Sequence, residues 1–169
     1  RTVLYGDGML REMIGGFIFT ISPDSFFQTN IRQAEVLYET IREYAGLSGY
    51  ERVLDLYCGT GAIGIFLAHG ARTVTGVEIS GDAAVDARRN AELNGFGNIS
   101  FIAGKAENTV YDGRDSFDLV VCDPPRAGIH PKLMRRLVSM RIPRMIYVSC
   151  NLGAIPGDLD TLMMAGYRV

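Results

Sequence analysis

The sequence predicts an α/β fold in which a doubly wound parallel sheet carries helices on both faces. Three observations lead to this prediction. Short runs rich in β-branched residues alternate with helical patterns from about residue 52 onward, as they do in successive βαβ units. A glycine-rich loop follows the first of these runs. The 169 residues, 47% of them hydrophobic, are enough to bury the core of one ordinary domain.

The elements are expected in a regular order. Residues 3–21 contain strand-like patches separated by glycines and predict a hairpin, and residues 30–44 predict an amphipathic helix. These form a lead-in (residues 1–50) to a core (residues 51–169) within one domain, 1–169. In the core, strands are predicted at residues 52–57, 73–77, 99–103, 117–122, 145–149 and 167–169, and helices at residues 62–69, 82–94, 132–140 and 159–164. The last strand is cut short, so the sheet is expected to be incomplete at its C-terminal end.

Composition and charge exclude several classes of protein. No apolar run approaches the roughly 18 residues of a membrane helix, and no signal peptide is visible. Three cysteines do not make a disulfide framework, so reduced thiols in the cytoplasm are expected. His69 and His130 are isolated, which gives no support for a metal site. The net charge is −2, yet six basic residues and no acidic one lie between Arg126 and Ser149. This segment is either a strip for phosphates or a solvated helix face.

The loop after the first core strand predicts a nucleoside-type cofactor. Gly59 and Gly61 permit a tight turn close to a ligand, and the following helix start offers free N–H groups. Glu78 ends the next strand, where a carboxylate can accept the hydroxyls of a ribose. Residues 59–64 also fit the dinucleotide pattern Gly-x-Gly-x-x-Gly, so an NAD-dependent oxidoreductase is an alternative. Asp55 favours S-adenosylmethionine, because an anion suits its cationic amino acid part better than a pyrophosphate.

Two further segments follow strands, at the edge where open α/β sheets bind ligands. Residues 123–126 (Asp-Pro-Pro-Arg) come after the fourth predicted strand, and residues 149–151 (Ser-Cys-Asn) end the fifth. Arg126 offers a forked donor for phosphate or base. Cys150 lies near a possible helix start, where partial positive charge and nearby arginine favour the reactive thiolate. The other two cysteines are expected to be small buried packing residues.

Together these motifs resemble the catalytic domain of the RNA uracil-5-methyltransferases, which make 5-methyluridine in ribosomal or transfer RNA. Residues 22–30 (Ser-Pro-Asp-Ser-Phe-Phe-Gln-Thr-Asn) resemble that family's Ser-Phe-Phe-Gln-x-Asn element. Residues 55–61 (Asp-Leu-Tyr-Cys-Gly-Thr-Gly) resemble its glycine loop, and residues 123–126 and 149–151 resemble its last two motifs. The resemblance covers about residues 21–151 and implies a class I S-adenosylmethionine-dependent methyltransferase with a Rossmann-like sheet.

The resemblance implies methylation of uracil C5 in RNA, with 23S rRNA as the expected target and a monomer as the expected state. Cys150 would attack uracil C6 as the nucleophile, and Arg126 would contact an RNA whose exposed uridine leaves its stack. Phe26 and Phe27 are expected to pack in the core. The cofactor site would be lined by Gln28, Tyr57, Glu78 and Asp123, together with Asp55, Gly59 and Gly61 of the loop.

The sequence departs from this family in three ways. Leu152 and Gly153 follow Ser-Cys-Asn, where the family usually has proline. The family's carboxylate base lies in a His-Val-Glu segment near its C-terminus, whereas this sequence stops at Val169. The family's usual N-terminal RNA-binding domain is not among these 169 residues. We therefore expect a fragment of a longer enzyme, competent in cofactor binding and in the covalent step but impaired in turnover.

Three alternatives stay open. A methyltransferase of the same fold acting on an exocyclic nitrogen would need no cysteine, and usually has an aromatic residue at the position of Arg126. An NAD-dependent oxidoreductase would use the glycine loop but would leave residues 123–126 and 149–151 without a role. A non-catalytic RNA-binding module is the third alternative.

Overall fold

Seven strands and five helices occupy the part of the chain that the computed structural model describes, residues 8–109 and 116–169. The strands are β1 (Leu10–Ile14), β2 (Phe17–Ile21), β3 (Arg52–Leu56), β4 (Thr73–Glu78), β5 (Ile99–Ala103), β6 (Leu119–Cys122) and β7 (Arg144–Tyr147). The helices are α1 (Ile31–Ala45), α2 (Ala62–Ala68), α3 (Gly81–Leu93), α4 (Pro131–Met140) and α5 (Ile155–Met164). None of the described helices is long and apolar enough to cross a membrane.

The predicted hairpin is present as the antiparallel pair β1 and β2. Gly15 and Gly16 connect the strands with φ of +56° and +83°, and two positive φ values in a two-residue turn are typical of the type I′ hairpin. The inward residues Ile14 and Phe19 are fully buried in the main core. The predicted hairpin residues 3–7 lie outside the described ranges.

The main sheet has five parallel strands in the order β5-β4-β3-β6-β7. Alternate residues of the central strand β3 enter two different cores, because successive side chains point to opposite faces of a sheet. Val53 packs with the hairpin, α1 and α2, whereas Leu54 packs with α4 and α5. Helices therefore cover both faces, and the predicted doubly wound α/β fold is confirmed.

Element ends differ from the predictions by a few residues. Helix α5 begins at Ile155 instead of residue 159, with a proline in its first turn, where the missing N–H costs no helical hydrogen bond. Strand β7 ends at Tyr147, two residues earlier than predicted. The Ser-Cys-Asn segment therefore lies in a loop beyond the strand end.

The predicted strand at residues 167–169 is wrong. Gly166 has φ of +99°, and its N–H donates to the carbonyl of Met163 while the N–H of Tyr167 donates to that of Leu162. These two bonds form the glycine-based cap that commonly ends a helix. The Tyr167 hydroxyl donates to the carbonyl of Ile142 at 2.7 Å. The segment therefore caps α5, and the Tyr167 hydroxyl connects it to Ile142, two residues before β7.

Candidate functional site

The carboxyl ends of four strands meet at one edge of the main sheet. Leu56 pairs with Val77 on one side and with Cys122 on the other, and Cys122 pairs with Tyr147. The residues that follow these strand ends therefore lie side by side. In this way motifs separated by up to a hundred positions converge at the edge where open α/β sheets bind ligands. We call this region the candidate site.

The glycine loop at this edge has a conformation that requires its glycines. Gly59 and Gly61 have φ of +54° and +84°, which residues with side chains rarely adopt. A Cβ atom at Gly61 would lie 2.7 Å from the Phe101 ring and 3.0 Å from Ala87. Tyr57 also has a positive φ of +63° and is half-buried against the core below the loop. The loop is therefore held in one shape against β5 and α3.

Glu78 connects the end of β4 to the glycine loop. One carboxylate oxygen accepts the N–H of Gly59 at 2.9 Å, and the other accepts the N–H of Ser80 at 2.7 Å. Each carboxylate oxygen can accept more than one hydrogen bond. Glu78 is half-buried, so it can hold the loop and still accept hydroxyl groups from a ligand.

Asp55 lies beneath the glycine loop instead of on its surface. Its side chain has no exposed area, and neither carboxylate oxygen accepts a hydrogen bond of good geometry within the described residues, although the Gly64 N–H is close enough to influence it. Burial raises the pKa of Asp55 to about 8; the negative charges of Asp123 and Glu78 add to this, and the Gly64 N–H opposes it. Burial also raises the pKa of Asp123. Both carboxyl groups therefore take up a proton more readily than exposed ones.

The segment that carries Gln28 is fixed from below by helix α3. One carboxylate oxygen of Asp86 accepts the Ser22 N–H at 2.8 Å and the Ser25 hydroxyl at 2.7 Å. Gln28 is half-buried and finds no hydrogen-bond partner within the described part of the chain. A polar side chain in this position is available to a ligand.

The two phenylalanines before Gln28 behave differently. Phe27 is half-buried against the main core, with its ring 5.7 Å from that of Phe19, as predicted. The prediction that Phe26 packs in the core is wrong, because 75% of Phe26 is exposed. The segment is neither helix nor strand here, so no regular periodicity determines which of the two neighbouring side chains faces the core.

The Ser-Cys-Asn loop lies against the Asp-Pro-Pro-Arg loop. The Asn151 side-chain amide donates to the carbonyl of Arg126 at 2.9 Å, and the Val148 N–H donates to the carbonyl of Cys122. Cys150 and Arg126 are both exposed. Cys58 and Cys122 are buried, as predicted. The one exposed thiol of the described residues therefore lies beside the predicted substrate-binding arginine.

Three of the six basic residues between Arg126 and Ser149 make hydrogen bonds to other parts of the chain. Lys132 donates to the Asn108 side chain at 2.7 Å, Arg136 to the carbonyl of Thr109, and Arg144 to the carbonyl of Ala45. The other three, Arg126, Arg135 and Arg141, are exposed. The charge pattern of the sequence does not show which of these basic residues bond within the chain and which are left for a ligand.

The contacts of the polar face of α3 with the hairpin segment were not predicted from the sequence. Asn94 pairs with both backbone groups of Ile18, Asn90 accepts the Thr20 N–H, and Asp86 accepts the Ser22 N–H. Four residues of helix advance about 6 Å and two residues of strand nearly 7 Å, so the spacings match. A solvent-facing helix has the same i, i+4, i+8 spacing of polar side chains, so the sequence alone carried no signal that singled out this face.

The described residues contain no group of three or more His, Cys, Asp or Glu side chains that could hold a metal ion. The donors at the candidate site are backbone N–H groups, carboxyl groups and one thiol. This set suits an organic ligand with hydroxyl or cationic groups.

The fold and the site geometry define the class of open α/β domains with a crevice at the carboxyl edge of the sheet. Residues 47–162 match the family model described as a methyltransferase domain. The chain belongs to this methyltransferase family. Membership favours methyl transfer over the oxidoreductase alternative, which rested on the glycine pattern alone.

Two relatives are named uncharacterized RNA methyltransferases. The one from Halalkalibacterium halodurans is 44% identical over 169 residues, which cover 98% of this chain and 37% of that protein. The one from Caldanaerobacter subterraneus subsp. tengcongensis is also 44% identical, over 99% of this chain and 37% of that protein. The chain thus spans a little over a third of the length of the curated relatives it matches.

A solved structure resembles the chain closely. It is the Pyrococcus abyssi tRNA (uracil-54, C5)-methyltransferase in complex with S-adenosyl-L-homocysteine. The TM-score is 0.81 at 36% identity, over 93% of this chain and 38% of that one.

Proposed function

We propose that the chain is the catalytic part of an S-adenosylmethionine-dependent RNA methyltransferase that methylates uracil at C5. The observation that carries the proposal is the position of Cys150, exposed on a loop that Asn151 holds against the Asp-Pro-Pro-Arg loop. Similarity to the tRNA uracil-C5 methyltransferase and to RNA methyltransferases supports it. The substrate is an exposed uridine in transfer or ribosomal RNA, the latter including 23S rRNA.

The residues at the sheet edge fit S-adenosylmethionine. Glu78 accepts two backbone N–H groups and has lone pairs left for ribose hydroxyls. Gln28 and Asp123 offer polar groups to the cofactor, and Tyr57 lies half-buried next to the loop. Gly59 and Gly61 give the backbone a close approach. Asp55 is buried below the loop, and its raised pKa keeps it largely protonated at neutral pH, so it acts there as a neutral carboxyl group and not as the anion expected to suit the cationic part of S-adenosylmethionine.

The reaction begins at the cysteine. The Cys150 thiolate attacks uracil C6, a bond forms between sulfur and C6, and the electron pair of the C5–C6 double bond moves toward O4 as an enolate. S-adenosylmethionine bound at the sheet edge would supply an electrophilic methyl group: as C5 of the enolate bonds to this carbon, the sulfonium S–CH3 bond would break and S-adenosylhomocysteine would leave with the electron pair. A base then removes the C5 proton, the double bond re-forms, and the sulfur–C6 bond breaks to restore the thiolate. Polar groups of Gln28 and Asp123 orient the ring and stabilise the developing charge.

Arg126 is proposed to contact the RNA. It is exposed on the Asp-Pro-Pro-Arg loop, and its carbonyl is the group that Asn151 holds. A guanidinium offers several N–H donors in a plane and suits phosphate oxygens or a base edge. Exposed basic residues of α4 such as Arg135 extend this surface.

The test is the identity of the methylated nucleoside. Unmodified transfer RNA and 23S ribosomal RNA transcripts are incubated with the chain and S-adenosylmethionine, digested, and analysed by mass spectrometry. We expect 5-methyluridine, or its covalent adduct with the protein, and loss of both with Cys150→Ser. A methylated exocyclic nitrogen that survives Cys150→Ser would instead assign the chain to the alternative class. Tight binding of NAD and none of S-adenosylhomocysteine would refute the proposed cofactor.

A further inference from the structure

The carboxylate of Asp158, in α5, lies at a junction between two parts of the candidate site. One oxygen accepts the backbone N–H of Ile129 at 2.8 Å and the hydroxyl of Tyr147 at 2.7 Å. Ile129 follows the Asp-Pro-Pro-Arg loop, and Tyr147 ends β7 three residues before Cys150. A single oxygen atom therefore joins the end of one loop to the start of the other.

Asn151 forms a second connection on the far side of the cysteine. Its amide donates to the carbonyl of Arg126 at 2.9 Å. Its backbone N–H donates to the Ser149 hydroxyl at 3.1 Å, and its side-chain oxygen accepts the Gly153 N–H at 3.1 Å. Cys150 is thus bracketed by two attachments to the same loop, one through Tyr147 and Asp158 and one through Asn151.

Gly128 fits against the Asp158 carboxylate. A Cβ atom at this position would lie 2.7 Å from the carboxylate oxygen that makes both hydrogen bonds, and the φ of Gly128 is +83°. Only glycine permits both this backbone conformation and this close approach. Burial and the hydrogen bond to Asp158 raise the pKa of Tyr147, so its hydroxyl keeps its proton and stays a donor.

We propose that Asp158 is a positioning residue, which sets the distance and orientation of Cys150 relative to Asp123 and Arg126 through its bonds to Tyr147 and Ile129. The proposal rests on the proposed function. Asp158 takes no part in the chemistry; it fixes the two loops on which the nucleophile and the substrate-binding groups lie. A displacement of about 1 Å in such an arrangement costs up to about a hundredfold in rate.

The test compares four variants of the chain. Asp158→Ala removes both hydrogen bonds, and Asp158→Asn keeps an oxygen acceptor in the same place without the charge. Tyr147→Phe removes one bond and leaves the carboxylate. Tyr167→Phe is the matched control, because the Tyr167 hydroxyl makes a bond of the same length to Ile142, away from both loops. Each variant is assayed for adduct formation with 5-fluorouridine RNA, for S-adenosylhomocysteine affinity and for amide hydrogen exchange.

We expect Asp158→Ala to slow adduct formation at saturating RNA by about tenfold or more, with S-adenosylhomocysteine affinity changed less than about threefold. Asp158→Asn is expected to restore the rate to within about threefold, because position is kept and only charge is lost. Hydrogen exchange is expected to rise in peptides 123–130 and 147–153 for Asp158→Ala and not for Asp158→Asn. Tyr147→Phe is expected to raise hydrogen exchange chiefly in residues 147–153. Tyr167→Phe is expected to leave exchange in both peptides unchanged.

Two results would overturn the proposal. Asp158→Ala with unchanged exchange and rate would show that the junction fixes nothing. If Asp158→Asn slowed adduct formation as much as Asp158→Ala, the charge of Asp158 would matter and not the position that it holds. If the unaltered chain forms no adduct, the proposed function is wrong, and exchange alone then decides whether Asp158 holds the two loops together.

Discussion

The side-chain amide of Asn90 donates to the carbonyl oxygen of Thr60 in the glycine loop at 3.1 Å. The oxygen of the same side chain accepts both the N–H and the hydroxyl of Thr20, at 2.7 and 3.0 Å. Asn90 is fully buried. One side chain of α3 therefore connects the N-terminal hairpin to the loop that lies at the centre of the candidate site.

Asn90→Ala should therefore destabilise the fold strongly. The substitution leaves the Thr20 N–H and the Thr60 carbonyl buried without partners, and each such group costs about 1–3 kcal/mol. We expect the free energy of unfolding, measured by chemical denaturation, to fall by about 3 kcal/mol. Asn94→Ala is the control, because it removes two hydrogen bonds to Ile18 at a half-buried position that water can reach. A larger loss with Asn94→Ala would contradict the account.

Gly64→Ala should also destabilise the chain, although alanine is the better helix former. A Cβ atom at Gly64 would lie 2.9 Å from a methyl of Ile99 and 3.0 Å from the Asp55 carboxylate. Overpacking of this kind costs about 1–3 kcal/mol. Gly157, in α5, has nothing within 4 Å of such an atom, so Gly157→Ala should be neutral or stabilise by up to about 1 kcal/mol. Thermal denaturation of both variants checks the contrast, and equal effects would argue against this packing.

Asp55 should make the fold less stable as the pH rises from about 4 to 8. Its pKa is about 8 in the folded chain, against 3.8 as the ordinary value. Between these values the folded state binds a proton that the unfolded state has released, so stability falls by up to about 1.4 kcal/mol per pH unit. Asp55→Asn cannot lose a proton, and its unfolding free energy should show a shallower decline over this range. Identical pH profiles for the two chains would mean that Asp55 is charged in the fold.

The position of the site was predictable from a geometric rule. The α3 side chains that hold the surrounding segments in place were not predictable. Glu78, Asp123 and Cys150 lie at or shortly after the ends of three strands of a parallel sheet, and such strand ends necessarily meet at one edge. The polar residues of α3, by contrast, have the spacing of an ordinary solvent-facing helix. Only the hairpin, which lies more than 60 positions away in sequence, turns Asp86 and Asn90 into buried acceptors.

The wrong predictions have local causes. Residues 167–169 have the composition of a strand, but Gly166 turns the chain and the N–H of Tyr167 is used to cap α5. Phe26 and Phe27 are equally hydrophobic, and no pattern in the sequence shows which of the two faces the core. Asp158 is one of two acidic residues in α5, and only the three-dimensional structure shows that it contacts Ile129 and Tyr147.

The covalent bond between Cys150 and uracil C6 is the central claim, and an RNA that contains 5-fluorouridine tests it most directly. Because fluorine at C5 leaves no proton to remove, the adduct persists after methyl transfer. Transfer RNA and 23S ribosomal RNA transcripts made with 5-fluorouridine are incubated with the chain and S-adenosylmethionine, and the product is mapped by peptide mass spectrometry. We predict a denaturation-resistant adduct on the peptide that contains Cys150, and none with Cys150→Ser. An adduct that forms equally in the Cys150→Ser chain, or on another residue, would contradict the account.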